Sequence, residues 1–250
     1  MNKLLIFAIG LMLVAPTLSA AEYNATVQWH RKVTLGTAVS GVIQDIPVAV
    51  GQRVAKDTVL LSLDLSAYQA KFNSAKASLD AAQNLSAEAD LEMQRAEDYF
   101  DQDFSSRHEL EMVRIAKSEA LAKLKQAEAG FKAAEYDLRY AKILAPFDGW
   151  ILQSRAEVGQ VVVADDSAPQ LLDFAAADQM RALASITLGV ARSLKIGQSV
   201  SVLYGNAKLP GKVYSVGMES SNKSGYPMQV VFETKGRRIP INTGVKIIIP

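Results

Sequence analysis

The chain has 250 residues, and its 27 Lys and Arg side chains nearly balance its 26 Asp and Glu side chains, for a formal net charge of +1 at pH 7. Aromatic residues are not interleaved with the basic ones, which argues against a nucleic-acid partner. The chain has no cysteine, which excludes disulfides, thiol chemistry and a lipidated N-terminal cysteine as a membrane anchor. Stability must therefore come from apolar cores.

Residues 1–21 predict a secretory signal peptide. Lys3 precedes an apolar run from Leu4 to Val14, and the small residues Ser19 to Ala21 suit cleavage after Ala20 or Ala21. The run is too short to span a bilayer, and no later stretch resembles a transmembrane helix. We therefore expect an exported chain whose contact with any membrane is peripheral.

Two segments, residues 40–64 and 143–174, carry the same glycine spacing. Gly41 is followed by Gly51 within a Val-Gly-Gln triplet, and Gly149 is followed by Gly159 within the same triplet. Glycine suits tight turns that need positive φ, and the β-branched residues around it suit half-buried strands. We expect two similar four-stranded halves that close on one another as a β-sandwich. One or more strands in residues 22–39 would join this sandwich or the C-terminal domain.

Between these halves, residues 65–142 show a heptad pattern on two successive arms. Apolar or small residues recur at alternating steps of three and four, and only Ser86 and Lys117 interrupt them. Such a pattern predicts an antiparallel coiled-coil hairpin, in which each arm of roughly 36 residues is about 55 Å long. A hairpin of this length must project from a small domain. The predicted seam consists of Leu65, Tyr68, Phe72, Ala75, Leu79, Ala82, Ser86, Ala89, Met93, Ala96 and Phe100 on the first arm, and Leu110, Val113, Lys117, Ala120, Leu124, Ala127, Phe131, Ala134, Leu138 and Ala141 on the second.

Residues 101–107 predict the turn at the tip of this hairpin. Ser106 is followed three residues later by Glu109, which is the spacing of a helix capping box. Acidic residues crowd the same region, but they lack the glycine and the fixed ligand series of a calcium loop. We therefore expect a solvated acidic surface and no metal.

Residues 175–250 predict a further small β domain, which the family resemblance given below implies is a β-barrel. A short helical pattern precedes Gly197, alternating strands follow it, and a last glycine-led strand lies within residues 241–249. From Met180 onward, ten Lys and Arg residues face only two acidic residues. Such a basic domain could contact anionic lipid headgroups or acidic loops of a membrane protein, or could simply be a scattered solubilising surface. The candidate contact residues are Arg192, Lys195, Lys208, Lys212, Lys235, Arg237 and Arg238.

The split halves resemble those of biotinyl/lipoyl-type domains. With the inserted hairpin and the glycine-marked C-terminal strands, the chain resembles the HlyD-like periplasmic adaptors, or membrane fusion proteins, of tripartite efflux pumps, and within these the resistance-nodulation-division type. The resemblance implies an elongated, modular α+β fold: a lipoyl-like β-sandwich split by a long antiparallel coiled-coil α-hairpin, plus a C-terminal β-barrel. It further implies an inner-membrane transporter partner, a TolC-like outer-membrane channel partner, a homo-oligomer that is a hexamer in the family, and multidrug export from the periplasm.

The hairpin tip carries part of the channel-docking motif of that family. The motif is an arginine, a leucine four residues on and a serine seven residues further; here Arg95, Tyr99 and Ser106 occupy these places. Tyrosine keeps an apolar body in place of the leucine. For Arg95 the alternative is a solvated helix face paired with a nearby acid, and for Ser106 it is a cap alone.

No catalytic site is evident, and we expect a protein that is not an enzyme. His30 and His108 lie on separate predicted elements and show neither zinc-ligand nor triad spacing. No phosphate-binding glycine loop or dinucleotide fingerprint occurs. A carrier domain of the lipoyl type would present a modified lysine on the turn that joins its halves, and here the hairpin replaces that turn. We therefore expect no cofactor.

Two alternative functions stay open from the sequence. An adaptor of an ATP-binding-cassette or major-facilitator exporter would show the same architecture. A free periplasmic coiled-coil chaperone that grips clients between its arms belongs to a different class, and it would favour a hydrophobic or basic tip over an acidic one.

Overall fold

A computed structural model describes residues 21–165, 169–219 and 225–250. The predicted signal peptide lies outside these residues except for Ala21. The chain divides into two compact units: one comprises Arg31–Ala177, and the other comprises the flanking segments up to His30 and from Asp178 onward.

The described residues form fourteen strands and three helices. The strands are β1 (Ala21–Trp29), β2 (Lys32–Leu35), β3 (Gly41–Asp45), β4 (Arg53–Val54), β5 (Val59–Leu63), β6 (Lys142–Leu144), β7 (Gly149–Ser154), β8 (Val161–Val162), β9 (Leu172–Ala176), β10 (Gln179–Ile186), β11 (Ser199–Tyr204), β12 (Ala207–Val216), β13 (Tyr226–Glu233) and β14 (Gly244–Ile249). The helices are α1 (Ser66–Asp101), α2 (Arg107–Tyr140) and α3 (Leu188–Ser193).

The unit Arg31–Ala177 contains two four-stranded sheets in the orders β2-β9-β7-β4 and β6-β5-β3-β8. Apolar side chains from both sheets meet in one core, whose largest fully buried members include Phe174, Leu60 and Ile151. The predicted β-sandwich is therefore confirmed. The halves do not form one sheet each, because β4 of the first half joins the sheet of the second, and β8 of the second joins the sheet of the first.

This strand exchange is nearly symmetric. The Gly51 amide donates to the Ile151 carbonyl at 2.8 Å, and the Gly159 amide donates to the Ile43 carbonyl at the same distance. In return, the Ile151 amide donates to the Gln52 carbonyl and the Ile43 amide to the Gln160 carbonyl. Each half thus satisfies backbone groups of the other that would otherwise be unpaired.

The repeated glycines serve two different purposes. Gly51 and Gly159 have φ of 81° and 87°, which L-residues with a side chain rarely adopt. Gly149 is instead required by crowding, because a Cβ there would lie 2.4 Å from the Ala175 carbonyl oxygen. At the matching Gly41, a Cβ would lie 3.1 Å from the Leu63 side chain. The prediction of positive φ therefore holds only for the second glycine of each pair.

A buried carboxylate links strands of the sheet β2-β9-β7-β4. Asp173 on β9 is 5% exposed and accepts hydrogen bonds from the Thr34 hydroxyl at 2.9 Å and from two nitrogens of Arg155, each at 3.2 Å. The Lys32 ammonium lies 3.0 Å away. The Arg155 guanidinium is the main cause that lowers the pKa of Asp173 to about 2, with Lys32 and Thr34 adding to it.

The α-helical hairpin packs along the predicted seam. On α1 every predicted seam residue is buried or half-buried, and every other residue of the helix is exposed. The predicted seam residues of α2 are also buried or half-buried. Phe72 and Phe131 contact each other across the seam, with their ring centroids 5.2 Å apart. At the base, Tyr68 packs against the sandwich core. Beyond that point, in the part of the chain that the structure describes, the main packing partner of α1 is α2.

The remaining unit is a closed six-stranded barrel in the order β1-β10-β13-β12-β11-β14. β14 closes it by pairing with both β1 and β11, as the family resemblance implies for the glycine-led last strand. Its core includes Phe232, Met228 and Ile247. The N-terminal region thus contributes β1 to the barrel and β2 to the sandwich. The barrel and the hairpin-split sandwich confirm the predicted α+β fold.

Candidate docking site at the hairpin tip

The turn between α1 and α2 is held by backbone hydrogen bonds. The Asp103 amide donates to the Phe100 carbonyl at 3.1 Å, and the Phe104 amide donates to the Tyr99 carbonyl at 2.9 Å. Asp103 has φ of 58°, a left-handed conformation that aspartate adopts more readily than most residues with a side chain. The tip is therefore a defined turn and not a loose loop.

Ser106 begins α2 with the capping box that the sequence predicts. Its hydroxyl accepts a hydrogen bond from the Glu109 amide at 3.2 Å, and its own amide donates to the Glu109 carboxylate at 2.7 Å. The Ser106 hydroxyl also donates to the Glu109 carboxylate at 3.0 Å. The hydrogen bond from the Ser106 amide is the main cause that lowers the pKa of Glu109, and the bond from the hydroxyl adds to it. Capping by a serine hydroxyl supplies a partner to an amide at the helix start that has no carbonyl of its own.

Arg95 and Tyr99 lie one helical turn apart near the end of α1, so both project from the same side of the helix. The Arg95 side chain is 64% exposed and its guanidinium lies 2.9 Å from the Glu92 carboxylate. Tyr99 is also exposed. The structure thus brings these two residues together on one exposed flank and places Ser106 across the turn.

Phe104 is a tip residue that the sequence analysis did not select. It is 78% exposed at the centre of the turn, where an aromatic side chain gains nothing from the fold of its own chain. Exposed aromatic residues are frequent anchors of protein interfaces. The sequence did contain a signal for this residue, since it is a bulky aromatic side chain in an otherwise polar turn. The heptad pattern could not identify it, because that pattern ends before the turn.

The seven predicted basic residues do not form one cluster. Arg192 and Lys195 follow β10 at the barrel end where Ile186 pairs with Tyr226. The strand register puts Lys208, Lys235, Arg237 and Arg238 at the opposite end, where Tyr204 pairs with Ala207 and Gln179 with Glu233. Lys212 lies on the barrel wall between Ser199 and Val231. Two separate basic regions are therefore available for contacts.

The two histidines lie far apart in the chain and in different settings. The imidazole of His30 packs edge-on against Tyr214, with ring centroids 5.4 Å apart, whereas His108 is exposed in the first turn of α2. In the part of the chain that the structure describes, no group of three His, Asp or Glu side chains is placed to hold a metal ion. No described helix is long and apolar enough to cross a bilayer.

Residues 31–174, more than half of the chain, match the family model described as the barrel-sandwich hybrid domain of resistance-nodulation-division membrane fusion proteins. The chain is 29% identical over 182 residues to the macrolide export protein MacA of Shigella flexneri, covering 67% of this chain and 49% of the relative. It is 30% identical over 157 residues to the antibiotic efflux pump periplasmic linker protein ArpA of Pseudomonas putida, covering 62% of this chain and 38% of the relative. The chain thus spans about half the length, or less, of these curated relatives.

Solved structures agree on the fold. A chimera of MacA and MexA that contains the α-hairpin domain of Pseudomonas aeruginosa MexA matches 92% of this chain and 80% of its own, with a TM-score of 0.65 and 24% identity. A membrane fusion protein of Streptococcus pneumoniae R6 also matches 92% of this chain and 98% of its own, with a TM-score of 0.65 and 16% identity. The hairpin-split sandwich, the barrel and the family match over residues 31–174 together show that the chain belongs to the membrane fusion protein family of efflux pumps.

Proposed function

We propose that the chain is a periplasmic adaptor that joins an inner-membrane efflux transporter to a TolC-like outer-membrane channel. The observation that carries this proposal is the hairpin, which buries its side chains against itself and ends in a capped turn with Phe104 and Tyr99 exposed. A rod of two helices about 50 Å long supplies reach. A defined turn with exposed anchors supplies a contact surface at its end.

The tip suits docking because its groups are already ordered. The hydrogen bonds of Asp103, Phe104 and Ser106 fix the turn before any partner binds, which lowers the entropic cost of association. Phe104 and Tyr99 would fill apolar pockets, and the planar guanidinium of Arg95 could exchange Glu92 for an acceptor on the channel.

The names of the relatives support a role in export, since one is a macrolide export protein and another an antibiotic efflux pump linker. The description of the family model that matches residues 31–174 supports a transporter of the resistance-nodulation-division type. In this role the chain makes and breaks no bond and needs no cofactor. It would act in the periplasm after signal-peptide removal, peripherally associated with the inner membrane, as one copy within a homo-oligomer.

Site-specific capture at the tip tests the proposal. Gln102→Cys introduces the only thiol of the chain at the exposed C-cap residue of α1, where the cap contact uses the backbone amide and not the side chain. A thiol-linked photo-crosslinker then captures neighbours in living cells. An outer-membrane channel as the main product would support the adaptor role. A heterogeneous set of unrelated periplasmic proteins would contradict it and favour the chaperone.

Charge reversal provides a matched pair of variants. Arg95→Glu should abolish export of a macrolide or dye from a deletion strain that carries the variant. Arg139→Glu is the control, because that side chain is also 64% exposed and also pairs with a glutamate of its own helix, but at the base of the hairpin. Normal export by Arg95→Glu would contradict the docking role of this residue, even if tip capture still yields the channel.

A further inference from the structure

A cleft is open on the outer wall of the barrel unit. Its volume is about 720 Å³, within the range of sites that bind drug-sized molecules, about 300–1,000 Å³. Strands β11, β12 and β13 form its floor, and every residue that lines it belongs to the barrel unit. Ser199 pairs with Lys212, and Lys212 pairs with Val231. These three side chains therefore stand in one row across the outward face of the floor.

Two aromatic rings form one wall of the cleft. Tyr214 lies where the pairing of β12 with β13 shifts register between Val213 and Ser215, and such irregularities re-aim the side chain of the extra residue. The Tyr214 ring meets the His30 imidazole nearly edge-on, with an interplanar angle of 81°, a preferred arrangement for aromatic pairs. Tyr214 nevertheless stays 54% exposed. An aromatic surface is thus ordered before any ligand binds, which lowers the entropic cost of binding.

An exposed isoleucine lies beside this aromatic wall. The Gly197 amide donates to the Val213 carbonyl at 2.8 Å, which places Ile196 next to the segment that carries Tyr214. Ile196 is 77% exposed and also lines the cleft. Single exposed apolar residues are ordinary on protein surfaces, but here an isoleucine and a tyrosine face one cavity. Together they offer the apolar part of a ligand site.

The charged residues of the cleft lie at different levels. Lys212 stands in the row of Ser199 and Val231, and among the described residues no carboxylate forms an ion pair with it. Strands β11 and β13 run in the same direction on either side of β12, so Ile196 precedes this row and Glu233 follows it. An anionic group therefore fits best at Lys212, with the rest of the ligand extending towards Ile196 and away from Glu233.

We propose that this cleft binds a small amphipathic organic anion. Its aromatic body would pack against Tyr214 and Ile196. Its carboxylate or sulfonate would accept hydrogen bonds from the Lys212 ammonium and the Ser199 hydroxyl. The proposal gives the barrel a ligand-binding activity that joining a transporter to a channel does not require, and it does not depend on the adaptor role.

Fluorescence titration of the purified chain with anilinonaphthalene sulfonate tests the site, because this dye combines an aromatic body with a sulfonate. Lys212→Glu should weaken binding about tenfold, since it removes the cation that pairs with the sulfonate. Glu233→Gln should strengthen binding about twofold, since it removes a like charge nearby. Lys208→Glu is the matched control and should bind like the native chain. That lysine lies on the outward face of the same strand, four residues away, and does not line the cleft.

A second pair of variants tests the aromatic wall. Tyr214→Ala should weaken dye binding about fivefold, and Tyr214→Phe should retain it, because the ring and not the hydroxyl makes the contact. The neutral dye Nile red should respond to Tyr214→Ala but not to Lys212→Glu. Thermal unfolding of each variant verifies that it is folded.

Amide chemical shifts of the native chain locate the dye without any substitution. We expect the shifts that change to include those of Gly197, Ser199 and Lys212. Changes confined to the hairpin, an equal loss of binding in Lys208→Glu, or weaker binding in Glu233→Gln would each overturn the proposal. These measurements do not involve export or tip capture, so failure of the ligand site leaves the adaptor role standing, and failure of channel capture leaves the ligand site standing.

Discussion

The Lys117 ammonium group lies 2.8 Å from the Asp90 carboxylate of the opposite helix, although Lys117 occupies a position on the apolar seam of α2. The long side chain covers part of the seam with its methylene groups and carries its charge out to the edge. Both partners of the ion pair are about half exposed. Such pairs contribute about 0–1 kcal/mol to stability.

Lys117→Leu should therefore stabilise the hairpin by about 1 kcal/mol, because an apolar side chain on the seam replaces a weak ion pair. Thermal unfolding followed by far-ultraviolet circular dichroism would show a higher midpoint. Asp90→Ala is the matched control and should lower the free energy of unfolding by less than about 1 kcal/mol. A destabilised Lys117→Leu variant would mean that the ion pair contributes more to stability than an apolar side chain at this seam position.

Ser106 caps α2, and its proposed role in docking can be tested separately from the cap. Ser106→Ala removes the cap of α2 and should cost about 1 kcal/mol of stability. Ser106→Asn keeps a capping acceptor and replaces the hydroxyl, which donates to the Glu109 carboxylate, with an amide donor, so it should unfold like the native chain. If docking uses the hydroxyl, Ser106→Asn should still reduce export. Normal export with native stability would assign Ser106 to capping alone.

The buried Asp173 carboxylate makes the stability of the sandwich depend on pH. Its folded-state pKa of about 2 is below the ordinary value of 3.8, so its ionised form stabilises the fold above about pH 4, and this contribution is lost as the pH falls towards about 2. Asp173→Asn should cost about 2 kcal/mol near neutral pH. In denaturant titrations, the difference in free energy of unfolding between the native chain and the variant should become smaller below about pH 4. A difference that does not change with pH would mean that the variant loses stability through altered packing and not through the lost charge.

The matched glycines Gly149 and Gly41 should differ sharply when replaced. A Cβ at Gly149 would lie 2.4 Å from a backbone oxygen and 2.5 Å from the Phe174 ring, whereas at Gly41 its three nearest atoms would all belong to the Leu63 side chain, the closest at 3.1 Å. Gly149→Ala should therefore cost about 3 kcal/mol, and Gly41→Ala about 1 kcal/mol or less. Denaturant unfolding of the two variants compares them directly. Equal losses would show that the repeat is symmetric in packing as well as in backbone pairing.

Local periodicity predicted the hairpin well, since the whole seam from Leu65 to Ala141 is buried or half-buried. A heptad depends only on residues three and four apart, so the sequence displays it directly. The repeated glycine spacing predicted the sandwich for the same reason. In both cases a short-range pattern carries the information.

Features that depend on distant residues could not be predicted in this way. The exchange of β4 and β8 between the sheets follows from pairing across the hairpin, which no local pattern encodes. The crowding at Gly149 comes from Phe174 and Ala175 on a neighbouring strand. Arg192 and Arg238 lie at opposite ends of the barrel, and this could be predicted only with knowledge of the strand register. The sequence alone shows only that both residues are basic.

The junction at the base of the hairpin determines whether the length of the hairpin can change without altering the sandwich. Ser62 of β5 pairs with Lys142 of β6, and the Leu63 amide donates to the Ala141 carbonyl at 2.9 Å, so the chain leaves and re-enters the sandwich at one point. Deleting one heptad from each arm at matched heights would shorten the stalk by about 10 Å and keep this junction and the seam phase. Because such a deletion leaves the junction unchanged, hairpins of different length could emerge from the same sandwich, and in the proposed role the distance bridged would be set by the length of the hairpin.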